Sequence, residues 1–123
     1  MKEIKVVIGH RMGKGNNVAK GVQKASGKAI VIPGMGADMK LGDVMHEQNA
    51  DIGISFCGGG GGGALAAHNK YGYKAIYDLR SIDSGVAAIK KGYKVLGFSF
   101  LDVEDLGYRI VEAYKKSGPD KNE

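Results

Sequence analysis

Six consecutive glycines, Gly58 to Gly63, follow the only cysteine of the chain, Cys57. Glycine loses more backbone entropy on folding than any other residue. Such a run therefore belongs to a loop, and something must offset the cost of ordering it. Ala50-Asp51-Ile52-Gly53-Ile54-Ser55-Phe56 precedes it, a nearly continuous apolar run of the kind a strand shows when both faces are covered. Ala64-Leu65-Ala66-Ala67-His68-Asn69-Lys70 follows and reads as a helix. The thiol thus stands at the carboxyl end of a strand, beside bare backbone N–H groups and a helix N-terminus, a combination suited to an anion. The same field favours a thiolate and makes Cys57 reactive. The plainer alternatives are a flexible loop and a small buried cysteine.

The rest of the chain repeats the alternation. Strands are expected at Ile4–Ile8, Ala29–Ile32, Asp51–Phe56, Lys74–Tyr77 and Lys94–Leu101. Helices are expected from Asn16 or Asn17 to Ala25, over Leu41–Asn49, Gly63–Lys70 and Ser81–Lys91, and from Asp102 onward. Their caps are Asn16 or Asn17, Gly42 or Asp43, Ser81 and Asp102. Val103, Leu106, Ile110, Val111 and Tyr114 form the apolar face of the last helix. Residues 1–116 make one α/β domain, and 117–123 a loose polar tail. Alternating strands and helices predict a three-layer, Rossmann-like fold with a five-stranded parallel sheet. The expected strand order is 3-2-1-4-5.

Ligands bind such sheets at the carboxyl ends of the strands. Four segments should meet there: 9–15, 33–38, 57–63 and 78–81. In them Gly58, Gly59, Gly60, Gly61 and Gly62 form the anion loop. Arg11, Lys14 and Arg80 are candidate phosphate clamps. His10 is the candidate proton shuttle and second acid/base group beside Cys57. Asp38 and Asp78 suit either sugar hydroxyls or helix capping. His46 reads as structural, and His68 as favoured by the dipole at its helix end.

Several classes are disfavoured. The 123 residues carry a formal charge of +5, but the lysines are scattered and Trp is absent, so nucleic acid is not the expected partner. The charge suits small phosphorylated ligands, or simply solvated helix faces. A lone cysteine forms no internal disulfide, which suits a reducing cytoplasm. No Cys-x-x-Cys exists, so dithiol redox chemistry and cysteine-rich metal sites are not expected, nor is a cofactor. No apolar stretch reaches the length of a membrane span. Gly58-x-Gly60-x-x-Gly63 with Asp78 fits a dinucleotide fingerprint. Six glycines satisfy that pattern trivially, however, and only two strands follow.

At Ser55-Phe56-Cys57-Gly58 and the glycines after it, the chain resembles the glycine-rich SFCGS family of bacterial proteins. The stretches 6–15, 37–45, 69–75 and 92–98 extend the resemblance over nearly the whole chain. Gly59 stands where the family name has serine. Members tend to be encoded beside transporter-like membrane proteins and enzymes of sugar-acid phosphate metabolism, which implies partners of those kinds. More distantly, residues 51–58 and 66–70 are similar to the cysteine segment of the ribose-5-phosphate isomerase B and galactose-6-phosphate isomerase family. That resemblance implies proton transfer between sugar carbons by Cys57, enediolate stabilisation by the glycine loop, and a homo-oligomer with a shared site. The chain departs from this second pattern at Gly9-His10-Arg11, at Gly59 and at Asp78-Leu79-Arg80. Three functions remain open: an isomerase-like binder of a phosphorylated sugar or sugar acid, a phosphocarrier-like component of carbohydrate transport acting through Cys57, and a partner protein whose glycine loop packs against another chain.

Overall fold

The computed structural model describes residues 3–59 and 61–117. Five strands alternate with helices. They run β1 (Lys5–His10), α1 (Asn16–Lys24), β2 (Lys28–Val31), a 3-10 turn (Ala37–Lys40) opening into α2 (Leu41–Gln48), β3 (Ile52–Phe56), α3 (Gly62–Tyr71), β4 (Ala75–Leu79), α4 (Ile82–Lys90), β5 (Val95–Phe98) and α5 (Glu104–Ser117). Every strand pair is parallel. The α/β, Rossmann-like architecture is therefore as expected; Gly60 and the tail 118–123 lie outside the described residues.

The strand order is not the expected one. The sheet runs β2-β1-β3-β5-β4, in place of 3-2-1-4-5. Burial explains the difference. Every residue of β3 and β5 is buried, whereas β2 and β4 keep exposed positions. A strand at a sheet edge is covered less completely, so the most apolar runs take the centre and the half-polar ones the edges. The expected order would have left the 51–56 run at an edge.

Alternate residues of the central strands enter two different cores. Val6, Ile8, Ile52, Ile54 and Phe56 pack with Val18 and Val22 of α1 and Leu106 and Ile110 of α5. On the opposite face, Val7 packs with Leu41 and Met45 of α2 and Ala64 and Ala67 of α3. This period-two division decides which side chains at the strand ends can meet.

Helix starts depart from the sequence reading at α1 and α2. Ser81 caps α4 as expected, accepting the N–H of Ser84 at 3.1 Å. Neither Asn16 nor Asn17 caps α1, and no side chain of its own caps α2. Asp102 caps α1, accepting N–H groups of Val18 at 2.9 Å and Gly15 at 3.2 Å. Helices α1 and α5 also approach unusually closely. A Cβ on Gly107 would overlap the Val18 carbonyl, and one on Gly21 the Glu104 carbonyl. Among the described residues, no helix is long and apolar enough to cross a membrane.

Candidate functional site

The chain leaves β1 outward to β2, then returns to place β3 on the other side of β1. Helix α1 after β1 and α3 after β3 lie on opposite faces of the sheet. Their divergence opens a crevice at the carboxyl ends of β1 and β3, where ligands of such sheets bind. A cleft of about 550 Å3 occupies this position. Arg11 lines it from the end of β1, Met35, Gly36, Asp38 and Met39 from the segment after β2, and Cys57, Gly59 and Gly62 from the glycine loop.

Cys57 continues the β3 ladder, donating its N–H to Phe98 at 3.2 Å. Its Sγ accepts the N–H of Gly61 at 3.2 Å, so the loop curls back over the thiol. No side chain caps α3, whose N-cap position is Gly61. The positive end of that helix is left facing the cleft, where an anionic group is stabilised. Arg11 is exposed, and its carbonyl and N–H tie the loop after β1 to Gly36 (2.7 Å) and Phe56 (2.8 Å). A cation, the uncapped start of a helix and a thiol thus share one concave surface.

Glycine is required at two points beneath this surface. A Cβ on Gly9 would stand 2.8 Å from the Ala37 carbonyl oxygen and 3.1 Å from the Asp38 Cα. A Cβ on Gly63 would overlap the Asp38 carbonyl and stand 2.5 Å from the Ser55 Oγ. The backbone at Asp38 is therefore seated between the end of β1 and the start of α3. Gly59, by contrast, has open space around it, and a Cβ there would meet nothing within 4 Å.

Not all of the expected site residues converge. Arg11, Cys57, Gly59 and Gly62 line the cleft; His10, Lys14 and Arg80 are not among its lining residues. His10 pairs in register with Phe56 and shares its face of the sheet, so it enters the α1–α5 side while Cys57 follows on the other. The His10 ring is buried against Phe56 and Phe100, with centroids 5.6 and 5.1 Å away. Its Nδ1 accepts the Met12 N–H at 3.0 Å, so the neutral ring carries its proton on Nε2. Burial pushes its pKa down; Asp102 pulls the other way, Lys14 adds to the lowering, and Asp38 opposes it. Arg80 pairs with Asp78 at 3.0 Å on the surface. The strand order accounts for this, because β5 separates β4 from the crevice.

Two buried polar groups gain weight from the tertiary structure. Asp38 is only 4% exposed, yet its carboxylate forms no hydrogen bond among the described residues. Ser55 Oγ is fully buried and has no hydrogen-bond partner among the described residues either. Sequence names Asp38, together with Asp78, for sugar hydroxyls or helix capping, and Ser55 only as the first residue of the Ser-Phe-Cys-Gly motif. Among the described residues no three His, Cys, Asp or Glu side chains are grouped to hold a metal ion.

The arrangement defines an α/β protein of the type B ribose 5-phosphate isomerase fold. The Trypanosoma brucei enzyme of that type is similar over 99% of this chain and 91% of its own, with 19% identity and a TM-score of 0.66. Ribose-5-phosphate isomerase B from Mycoplasma genitalium, solved with bound ribulose-5-phosphate, is similar over 95% of this chain and 86% of its own (18% identity, TM-score 0.66). The Clostridium thermocellum enzyme is similar over 93% and 85% (22% identity, TM-score 0.62). At these identities the likeness is one of fold. The chain itself belongs to the glycine-rich SFCGS family, whose model matches residues 4–117. No curated protein matches it.

Proposed function

We propose that this protein binds a phosphorylated sugar or sugar acid in the cleft between the ends of β1 and β3. The observation that carries the reading is the convergence of Cys57, the uncapped start of α3 and Arg11 on one lining. The N–H groups at the start of α3 and Arg11 hold the phosphate. Cys57 faces the sugar carbons. In an isomerase-like reaction its thiolate takes the proton from the carbon next to the carbonyl, leaving an enediolate. The hydroxyl proton on that carbon passes to the former carbonyl oxygen, the thiol returns the carbon-derived proton to the former carbonyl carbon, and aldose and ketose interchange with no net gain or loss of atoms. Fold likeness to the ribose 5-phosphate isomerases, one solved with bound ribulose-5-phosphate, supports the ligand class.

The test is a thermal-shift screen of the wild type and Cys57→Ser against ribose 5-phosphate, sugar-acid phosphates and phosphoenolpyruvate, followed by proton exchange into D2O. A sugar phosphate that raises the melting temperature supports the site. Exchange at its carbon-bound hydrogen, lost in Cys57→Ser, makes the protein an isomerase. No shift with any of these compounds overturns the reading.

One observation favours a second reading. His10, the expected acid/base partner, is not among the lining residues, and a phosphocarrier needs only a thiol and an anion loop. In that reading Cys57 attacks a phosphohistidine or phosphocysteine donor and takes its phosphoryl group as a thiophosphate, as a soluble component of carbohydrate transport would. Incubation with phosphotransferase components should then add one phosphate to the intact mass, and Cys57→Ser should abolish it. An unchanged mass removes this reading.

A further inference from the structure

We propose that Asp38 reads the hydroxyl end of the ligand and makes the cleft selective for a phosphorylated sugar over a bare anion. This inference rests on the sugar-phosphate reading above. A carboxylate that is 4% exposed and without a hydrogen bond among the described residues is unusual, since buried charges are normally paired. It is not stranded in the core. Asp38 lines the cleft, and its Oδ2 lies 3.8 Å from where a Cβ of Gly62 would stand. Its backbone is seated by Gly9 and Gly63, so the group is held in place. A preorganised acceptor facing an open cleft has the form of a ligand contact.

A carboxylate accepts hydrogen bonds and donates none, so it suits hydroxyl donors and repels phosphate or a second carboxylate. Its two oxygens match a pair of neighbouring sugar hydroxyls. The phosphate is then directed toward Arg11, and the uncharged polyol end toward Asp38. Among the ligands of the proposed function, this favours sugar phosphates over sugar-acid phosphates whose acid group would face Asp38. Cys57, on the same lining, is left beside the sugar carbons.

The experiment is calorimetric titration of wild type and Asp38→Asn with two probes, ribose 5-phosphate and inorganic phosphate. A hydrogen bond to a charged acceptor is worth about 1.5–3 kcal/mol, so Asp38→Asn should weaken ribose 5-phosphate by about tenfold or more. Inorganic phosphate should bind Asp38→Asn as tightly as wild type or more tightly, because a repelling charge is gone. Opposite responses to the two probes are what a merely structural aspartate would not give. Parallel changes for both probes, or unchanged ribose 5-phosphate affinity, overturn the inference. Binding of neither probe to wild type removes the sugar-phosphate reading itself, and this inference with it. A comparison on wild type alone is independent of how the variant folds. Ribose 5-phosphate should bind several-fold more tightly than 2-deoxyribose 5-phosphate, and equal affinity tells against a hydroxyl-reading Asp38.

Discussion

The carboxylate of Asp102, just before α5, accepts the backbone N–H of Val18 at 2.9 Å, 84 positions earlier in the chain. Its second oxygen takes the N–H of Gly15 at 3.2 Å, and its carbonyl receives the Asn17 amide. A helix that lacks a cap of its own is thus capped by the segment that follows β5. Asp102→Ala should cost about 1 kcal/mol of stability, the usual loss for an N-cap. Urea unfolding at neutral pH measures it, and an unchanged midpoint would show that water replaces the carboxylate without loss.

The α1–α5 crossing should be less forgiving. A Cβ on Gly107 would overlap the Val18 carbonyl, and backbone cannot step aside as a side-chain tip can. Gly107→Ala should therefore destabilise by about 1–3 kcal/mol or more, despite the better helix propensity of alanine. Gly59→Ala, in open space on the loop, should stay within about 0.5 kcal/mol of wild type. Paired thermal melts of the two variants test the contrast.

His10 predicts a pH dependence. Burial lowers its pKa below the ordinary 6.5, so the folded state binds fewer protons than the unfolded chain just below that pH. The contribution from the neutral ring is fully present above about pH 6.5 and is lost as pH falls toward the folded value. Melting temperature should decline on acidification through this window. His10→Gln should flatten that decline, and an equally steep profile in the variant would assign it to other groups.

The two arginines should behave differently toward anions. Arg11 lines the cleft, whereas Arg80 is paired with Asp78 away from it. Under the proposed function, Arg11→Ala should weaken ribose 5-phosphate by about tenfold or more, the effect of losing a charge-assisted contact. Arg80→Ala should leave it unchanged. Fluorescence or calorimetric titration distinguishes them, and a larger loss for Arg80→Ala would relocate the phosphate.

Cys57 gives a chemical readout because it is the only thiol in the chain. Under the same proposal, ribose 5-phosphate should slow its alkylation by iodoacetamide, followed by intact mass. Equal rates with and without the ligand would place the sugar elsewhere.

Much of this was legible from local pattern. β-branched runs marked the strands, Ser81 marked the start of α4, and the cysteine–glycine passage marked a strand end opening into α3. Those signals depend on neighbours in sequence, where propensity and capping act. The close contact at Gly107 left no such mark, because glycine on an otherwise apolar helix face reads the same whether or not another backbone presses on it.

Local pattern along the chain settled the alternation of elements, the parallel α/β class and the placing of Cys57 with its glycines at a strand end. The strand order, and with it the composition of the cleft, came from packing across the whole sheet. Putting β5 between β3 and β4 kept Arg80 out of the lining; pairing His10 with Phe56 sent that ring to the other face. Seating Asp38 between Gly9 and Gly63 brought in a carboxylate whose setting no local pattern discloses. The physical reason is that propensity is a property of neighbours along the chain. Which strands lie together follows from how much apolar surface the whole sheet can bury.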